Sequence, residues 1–526
     1  MKNLLRVPIA LLIAATAGLP ALARDTVSLT VNATQIFGTI DPAKVNDYTE
    51  YMAIVNLYDG LTSVDGNGGI VPQLAESWDI SDDNKTYTFK LKQNATFQDG
   101  SPVEAKDVVW SLRRLIAVDE GPAYLFSGLV EPENVRALGP RTVEIVLNRV
   151  HAPFIATTPL ILVVNSDLVK EKGDGEWGES WLGDHACGAG PYRLDHWTRG
   201  SGMTLSRYEG YHGGWARKQP IDELRFVVTR DEATVKALAA RGRLGMSSPN
   251  QASETYEAIG KLDDYRVLSV DTATSFYLKL NNQKAPTDDV HIRRAIAYAM
   301  DYATVRDVIY PGGELKGPLA PAFADAVLDT LASPKFNLEK AAQEIKKSKY
   351  AGSGPIKLTH SYVAKIAFEE EIALLFKASL ETIGFEVELQ PEPWNRITEL
   401  ASSPTTTPNA TQVFFAPTYP SPDSVFFVQY HSQAAGTWSS MSWVEDPEID
   451  ALIDASRKAI DTDRRNSLYK DIQAELHERQ SDVFLLTQKK RFAANICLHG
   501  YYQVPMQSFD YDFSHMWWDC DAEPAK

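Results

Sequence analysis

Beyond residue 23, no stretch of this chain approaches the roughly 20 consecutive apolar residues needed to span a bilayer, so no membrane-crossing helix is expected in its body. Histidine is sparse: ten residues stand singly along the sequence, and no histidine or cysteine cluster supports metal capture. No Gly-x-Ser-x-Gly nucleophile elbow occurs. His477 opens "HERQ", but the partner position four residues on is Ser481, so the zincin ligand pair is missing. Cys187 near His185 is a thin basis for a thiol nucleophile, and among 69 acids no glycosidase pair stands out. Nothing argues for a catalytic residue, a cofactor or a metal. Basic residues are also outnumbered, 52 against 69, for a net charge of −17, which makes nucleic acid and anionic membrane poor partners.

Only three cysteines are present: Cys187, Cys497 and Cys520. In an oxidising compartment two would pair and one would remain. Cys497 with Cys520 would staple the tail and is the preferred pair, although Cys187 could join either.

What the chain does have begins with Lys2, Arg6, the run "VPIALLIAATAGL" and "ALA" before Arg24. This is the pattern of a secretory signal peptide cleaved near Ala23, with no cysteine at the cleavage point to carry a lipid. A free periplasmic monomer is expected. The 526 residues exceed one hydrophobic core, so two or three domains are expected. "TVSLTVNA" alternates Val27, Leu29 and Val31 as a half-buried strand, and "ESWDISDDNKTYTFKLKQN" reads as two strands about an Asp-Asp-Asn turn. "PVEAKDVVWSLRRL", "DDVHIRRAIAYAM", "DPEIDALIDASRKAI" and "RRNSLYKDIQAELHER" are amphipathic helices with acidic or capping starts. Strands alternating with helices predict a mixed α/β architecture.

Several of these segments share a resemblance. "LYDGLTSVDGNGGIVPQLAESWDISDDNKTYTFKLKQNATFQDGSPVEAKDVVWSLRR", "CGAGPYRL", "VHIRRAIAYAMD" and "DPEIDALIDASRKAIDTDRRNSLYKDIQ" resemble, in order, the signatures of the bacterial extracellular solute-binding proteins of family 5, the oligopeptide, dipeptide and nickel type. The likeness runs from about residue 40 to 490. It implies a two-lobed clamshell of the type II periplasmic binding kind, with an extra domain inserted in the first lobe. By that likeness, residues 24–58, 186–272 and 489–526 form the first lobe, 59–185 the inserted domain and 273–488 the second lobe. Crossings are expected near Thr274–Leu280 and Phe484–Lys489. The implied partners are a small organic solute and the permease of an ABC importer.

The likeness also directs attention to "FFAPTYPSPDSVFF", where Phe414, Phe415, Phe426 and Phe427 flank a loop with three prolines. Family members commonly carry Asp-Tyr-Pro-Asp-Pro-Asp there, and in peptide binders the first acid meets the ligand's ammonium. Here Thr418 and Ser421 replace the first two acids, and only Asp423 remains. A buried ammonium without a carboxylate costs several kcal/mol. A peptide cargo therefore requires another acid, Asp47 or Asp423. Otherwise the cargo lacks a free amine at that end, as an oligosaccharide or opine-like conjugate would. Most of the phenylalanines are expected in the core, with Tyr419 in contact with ligand. Asn46, Asp47, Tyr48, Tyr277, Trp394 and Trp438 complete the expected wall. An exported hydrolase is the competing class, and a sensor subunit would look the same in sequence.

Overall fold

The computed structural model describes residues 26–35, 37–45, 48–215 and 219–522. The expected signal peptide, Asn46 and Asp47 lie outside the described residues.

In the strand Ser28–Ala33, Leu29 and Val31 are fully buried, as period-two alternation requires. This strand pairs in parallel with Glu223–Val228, and a 4-stranded sheet is completed by Gly202–Arg207 and Tyr192–Thr198. The helix Tyr48–Leu57 is apolar nearly all round, and every residue after Tyr48 is buried. It lies between this sheet and the C-terminal tail. Asn56 donates to the Tyr511 carbonyl, and Phe513 N–H donates back to the Asn56 amide oxygen. A disulfide joins Cys497 to Cys520, while Cys187 is a buried free thiol.

Residues 59–185 carry a second 4-stranded antiparallel sheet, in the order Ala75–Ile80, Thr86–Leu91, Thr142–Leu147, Val130–Gly139. Helix Ala105–Val118 packs on it through Val108, Leu112 and Leu115. The helix starts on a capping box between Glu104 and Asp107 and stops at Asp119, whose φ of 54° breaks the helical path. Arg114 on this helix forms a buried bidentate pair with Asp41, at 2.6 and 2.5 Å, tying the segment to the first sheet's domain.

The 6-stranded sheet runs Gly312–Gly313, Asp482–Asn495, Tyr265–Leu280, Ala410–Phe415, Ile356–Val363, Phe385–Glu392. Its last three strands are parallel. Two long strands, Tyr265–Leu280 and Asp482–Asn495, pair antiparallel along most of their length and belong to both halves of the molecule. At one end, Tyr265 and Ala493 pack with Val235, Tyr256 and Ile259. At the other end, Phe276, Leu278 and Leu486 join the core formed by Ile292, Ile296 and Phe376. The register breaks between Asp271 and Ser275, where the strands pass from one body to the other. At the second-lobe end of the strand pair a fully buried ion pair forms, Lys279 Nζ at 2.9 Å from an Asp482 carboxylate oxygen.

Candidate binding cleft

Each half holds parallel strands, Ser28–Ala33 beside Glu223–Val228 in one and Ala410–Phe415, Ile356–Val363 and Phe385–Glu392 in the other, and the loops at their carboxyl ends carry the candidate site. In open α/β sheets this is where ligands bind, because the chain must turn away there and leaves a crevice. On the first-lobe side, Ser28–Ala33 ends at Thr34, whose hydroxyl meets Tyr48 at 3.2 Å and Ser248 at 3.4 Å. Asn250 donates to the Tyr48 hydroxyl at 3.0 Å. These side chains make a neutral wall of donors and acceptors.

On the second-lobe side, Ile356–Val363, Phe385–Glu392 and Ala410–Phe415 end at Lys365, Trp394 and the Thr418 loop respectively. Trp394 begins its helix two residues past the strand end, and its ring meets Trp438 edge-on at 5.4 Å. Phe415 backs Trp438 at 6.0 Å. The two tryptophans are 40% and 37% exposed, unusual for so large a ring unless it faces a crevice.

Thr418 is half-buried, and its backbone N–H donates to Ser424 Oγ. Its hydroxyl receives a hydrogen bond of 3.1 Å from Tyr124, which belongs to the 59–185 segment. Tyr124 is half exposed by area yet crowded by protein, as a side chain at a crevice mouth would be. That crowding raises its hydroxyl pKa, partly offset by the bond to Thr418. The halves also meet where Gln507 N–H donates to Pro417 O and Ala152 N–H donates to Arg457 O. Tyr419 is 2% exposed and packs into the first-lobe core, so its ring bridges the halves.

Some expected wall residues are placed elsewhere. Tyr277 is a core residue: it packs on Phe484 and donates its hydroxyl to the Pro318 carbonyl at 2.7 Å. Strand alternation turned it toward the helices under the sheet. Asp423 is fully buried, accepts from Tyr419 at 2.7 Å and lies 3.4 Å from Arg457 Nε. Its carboxylate faces the Tyr419 hydroxyl and the guanidinium of Arg457, from the helix Pro447–Lys458, and one of its oxygens has no hydrogen-bond partner among the described residues. Phe415 and Phe426 are buried, whereas Phe414 and Phe427 are half-buried, Phe414 stacking on Phe276 at 4.1 Å. Sequence reasoning did not find Tyr124, Thr34 or Asn250, which come together only through the fold and carry no local signature.

One carboxyl at the strand ends gives a pH signature. Glu369 is 5% exposed, and it accepts from Val363 N–H at 2.7 Å. Burial pushes it up to about 7. An unfolded glutamate titrates near 4.5, so between that pH and about 7 the folded chain keeps a proton the unfolded chain has lost. Stability contributed by the protonated form is full at acid pH and falls as pH rises through this window, by about 3 kcal/mol in all. Glu369→Gln should flatten that slope, read as urea midpoints compared at about pH 5 and about pH 8. Equal slopes for the two proteins would refute it.

Two bodies, each with its own sheet and joined by a crossing strand pair, have the architecture of a clamshell binding protein. The family model for bacterial extracellular solute-binding proteins, family 5, matches residues 69–437, and the chain belongs to that family. A curated relative in Escherichia coli, "Probable D,D-dipeptide-binding periplasmic protein DdpA", is 26% identical over 485 residues, 89% of this chain and 90% of the relative. Among solved structures, the Helicobacter pylori periplasmic binding protein DppA in complex with peptide STSA superposes with a TM-score of 0.78 at 21% identity, over 93% of this chain and 98% of that one. The binding protein AgaA in complex with agropinic acid, from A. tumefaciens R10, has a TM-score of 0.76 at 21% identity, over 95% and 100%. No described helix is long and apolar enough to cross a membrane.

Proposed function

We propose that this protein captures a peptide-sized organic solute in the periplasm and delivers it unchanged to the permease of an ABC importer. The observation that carries this reading is the pair of bodies joined by a two-stranded crossing, one with a neutral polar cluster at Thr34, Tyr48 and Asn250 and the other with the paired rings of Trp394 and Trp438. Flexing is assigned to Asp271–Ser275 and Thr487–Lys489, where the register breaks and the strand pair changes partners. Closure would let a permease tell loaded protein from empty. Export with cleavage after Ala23 and a monomeric state belong to the same reading, as does the lack of any turnover.

The D,D-dipeptide-binding relative and the peptide-bound neighbour support a peptide or peptide-like cargo. Thr418 favours a second form of it. With no acid at 418, and with Asp423 fully buried beside Tyr419 and Arg457, the Tyr-Pro loop is poorly suited to a free ammonium. A cargo blocked at that end, such as an opine-like conjugate or an oligosaccharide, fits hydroxyls and rings better. The neighbour holding agropinic acid supports that form.

Native mass spectrometry of protein taken from its own periplasm tests both forms, since retained cargo can be identified directly. Free-amine dipeptides or tripeptides in the cleft would contradict the role given to Thr418. Thr418→Asp should weaken the native cargo roughly tenfold, about 1.4 kcal/mol, by placing an unpaired carboxylate at the wall. Unchanged affinity would remove Thr418 from the site.

A further inference from the structure

We propose that residues 151–152 of the 59–185 segment form a latch with the second lobe's helix Pro447–Lys458 and loop 417–423, and that this latch holds the two halves closed without touching the cargo. The inference rests on the clamshell reading and adds a contact that favours closure before any solute arrives.

The two crossing strands join the halves at one place, and the latch contacts lie in other segments. Arg457 stands in the last turn of its helix, where carbonyls have no intrahelical donor, and its carbonyl accepts from Ala152 N–H at 2.7 Å. Opening hands that carbonyl back to water. The adjacent His151 is 3% exposed, and the charges that bear on it are Asp423 and Arg457 from the second lobe and Arg149 from its own segment. Arg457 is held in place by its own lobe, with Asp423 at 3.4 Å and the Phe427 ring 3.7 Å beneath the guanidinium. The loop beside it is gripped from the other body. Tyr419 is buried in the first-lobe core, and the Pro417 carbonyl accepts from Gln507 N–H at 3.2 Å. The turn at Gly68 passes so near that an added Cβ would lie 3.7 Å from Pro420. Neither His151, Ala152 nor Arg457 belongs to the polar cluster at Thr34, Tyr48 and Asn250 or to the tryptophan pair, so these contacts are open to empty protein.

The latch carries a titratable group. Burial brings His151 down to about 4, with Asp423 opposing the shift and Arg457 and Arg149 adding to it. In an opened form the ring meets water and titrates near its ordinary 6.5. Open protein therefore binds a proton that closed protein refuses between those values. The latch is at full strength above 6.5 and weakens as pH falls toward 4. From about pH 7.5 to about pH 5 the closed-to-open ratio should drop about 30-fold.

The test uses full-length mature protein with nitroxide labels at Leu138→Cys and Ile460→Cys, positions 58% and 50% exposed, one in each partner of the latch. Electron-electron distance measurements then report the closed and open populations. Protein emptied of cargo should show a short-distance population at about pH 7.5. His151→Glu, which sets a carboxylate against Asp423, should cut that population at least tenfold. His151→Gln should keep it and lose the response to acid. A short-distance population missing from empty wild type, one unmoved by His151→Glu, or an acid response that survives in His151→Gln would each overturn the latch. Protein that retains its periplasmic cargo, checked by native mass spectrometry, is the closed reference. If it shows the same distances as a fully open empty form, closure itself fails, and the proposed function with it. Should His151→Glu not fold, the acid response of wild type against His151→Gln decides by itself.

Discussion

Asp482→Ala is expected to shift the second lobe's unfolding to much lower denaturant, a loss of about 3–5 kcal/mol. The carboxylate is fully buried and accepts from Lys279 Nζ at 2.9 Å, Tyr430 OH at 2.8 Å, Ser442 Oγ at 2.6 Å and Leu280 N–H at 3.2 Å. Removing it leaves a buried ammonium and several donors without an acceptor, and each such group keeps its full desolvation cost. The Lys279 ammonium also sits 4.5 Å over both the Tyr277 and Tyr430 rings, too weak a contact to hold the charge alone. Lys279→Met in the same background should recover part of the loss, because the stranded charge is then gone. Urea unfolding followed by tryptophan fluorescence measures both, and a single-variant loss below ~1 kcal/mol would refute the assignment.

The second large effect concerns binding. Trp438→Ala should lower affinity for the native cargo by about 30-fold or more, the scale of a truncated aromatic hot spot. Its ring touches Trp394 and Phe415 but remains 37% exposed, so stability should change little while the wall loses its centre. Trp394→Ala should cost less, and the double variant less than the sum, because each ring is positioned by the other. Calorimetry with the cargo recovered from the periplasm gives the numbers. Affinity unchanged in Trp438→Ala would take the aromatic wall out of the site.

Much of the architecture was readable in the chain. Leu29 and Val31 alternate because one face of a strand is buried, and the helix Ala105–Val118 shows its stripe and its Asp107 box for the same local reason. Asp289, Asp446 and Asp461 cap the helices that follow them, as short-range hydrogen bonding dictates. The site was less readable. Trp394 and Trp438 stand far apart in sequence and were placed by family likeness, yet only the fold brings their rings together edge-on. Tyr277 reads as a plausible wall residue because a crossing strand has two faces, and sequence does not say which face meets the cleft. Asp423 reads as a free acid until Arg457, from a different helix, is brought beside it.

By itself, then, the sequence determined periods, caps and turns, because those depend on neighbours within a few residues. Set beside the family pattern, it also showed Thr418 where relatives commonly carry an acid. Only the tertiary structure decided which charges are buried and paired, because burial and pairing arise between segments that the chain separates by tens to hundreds of residues.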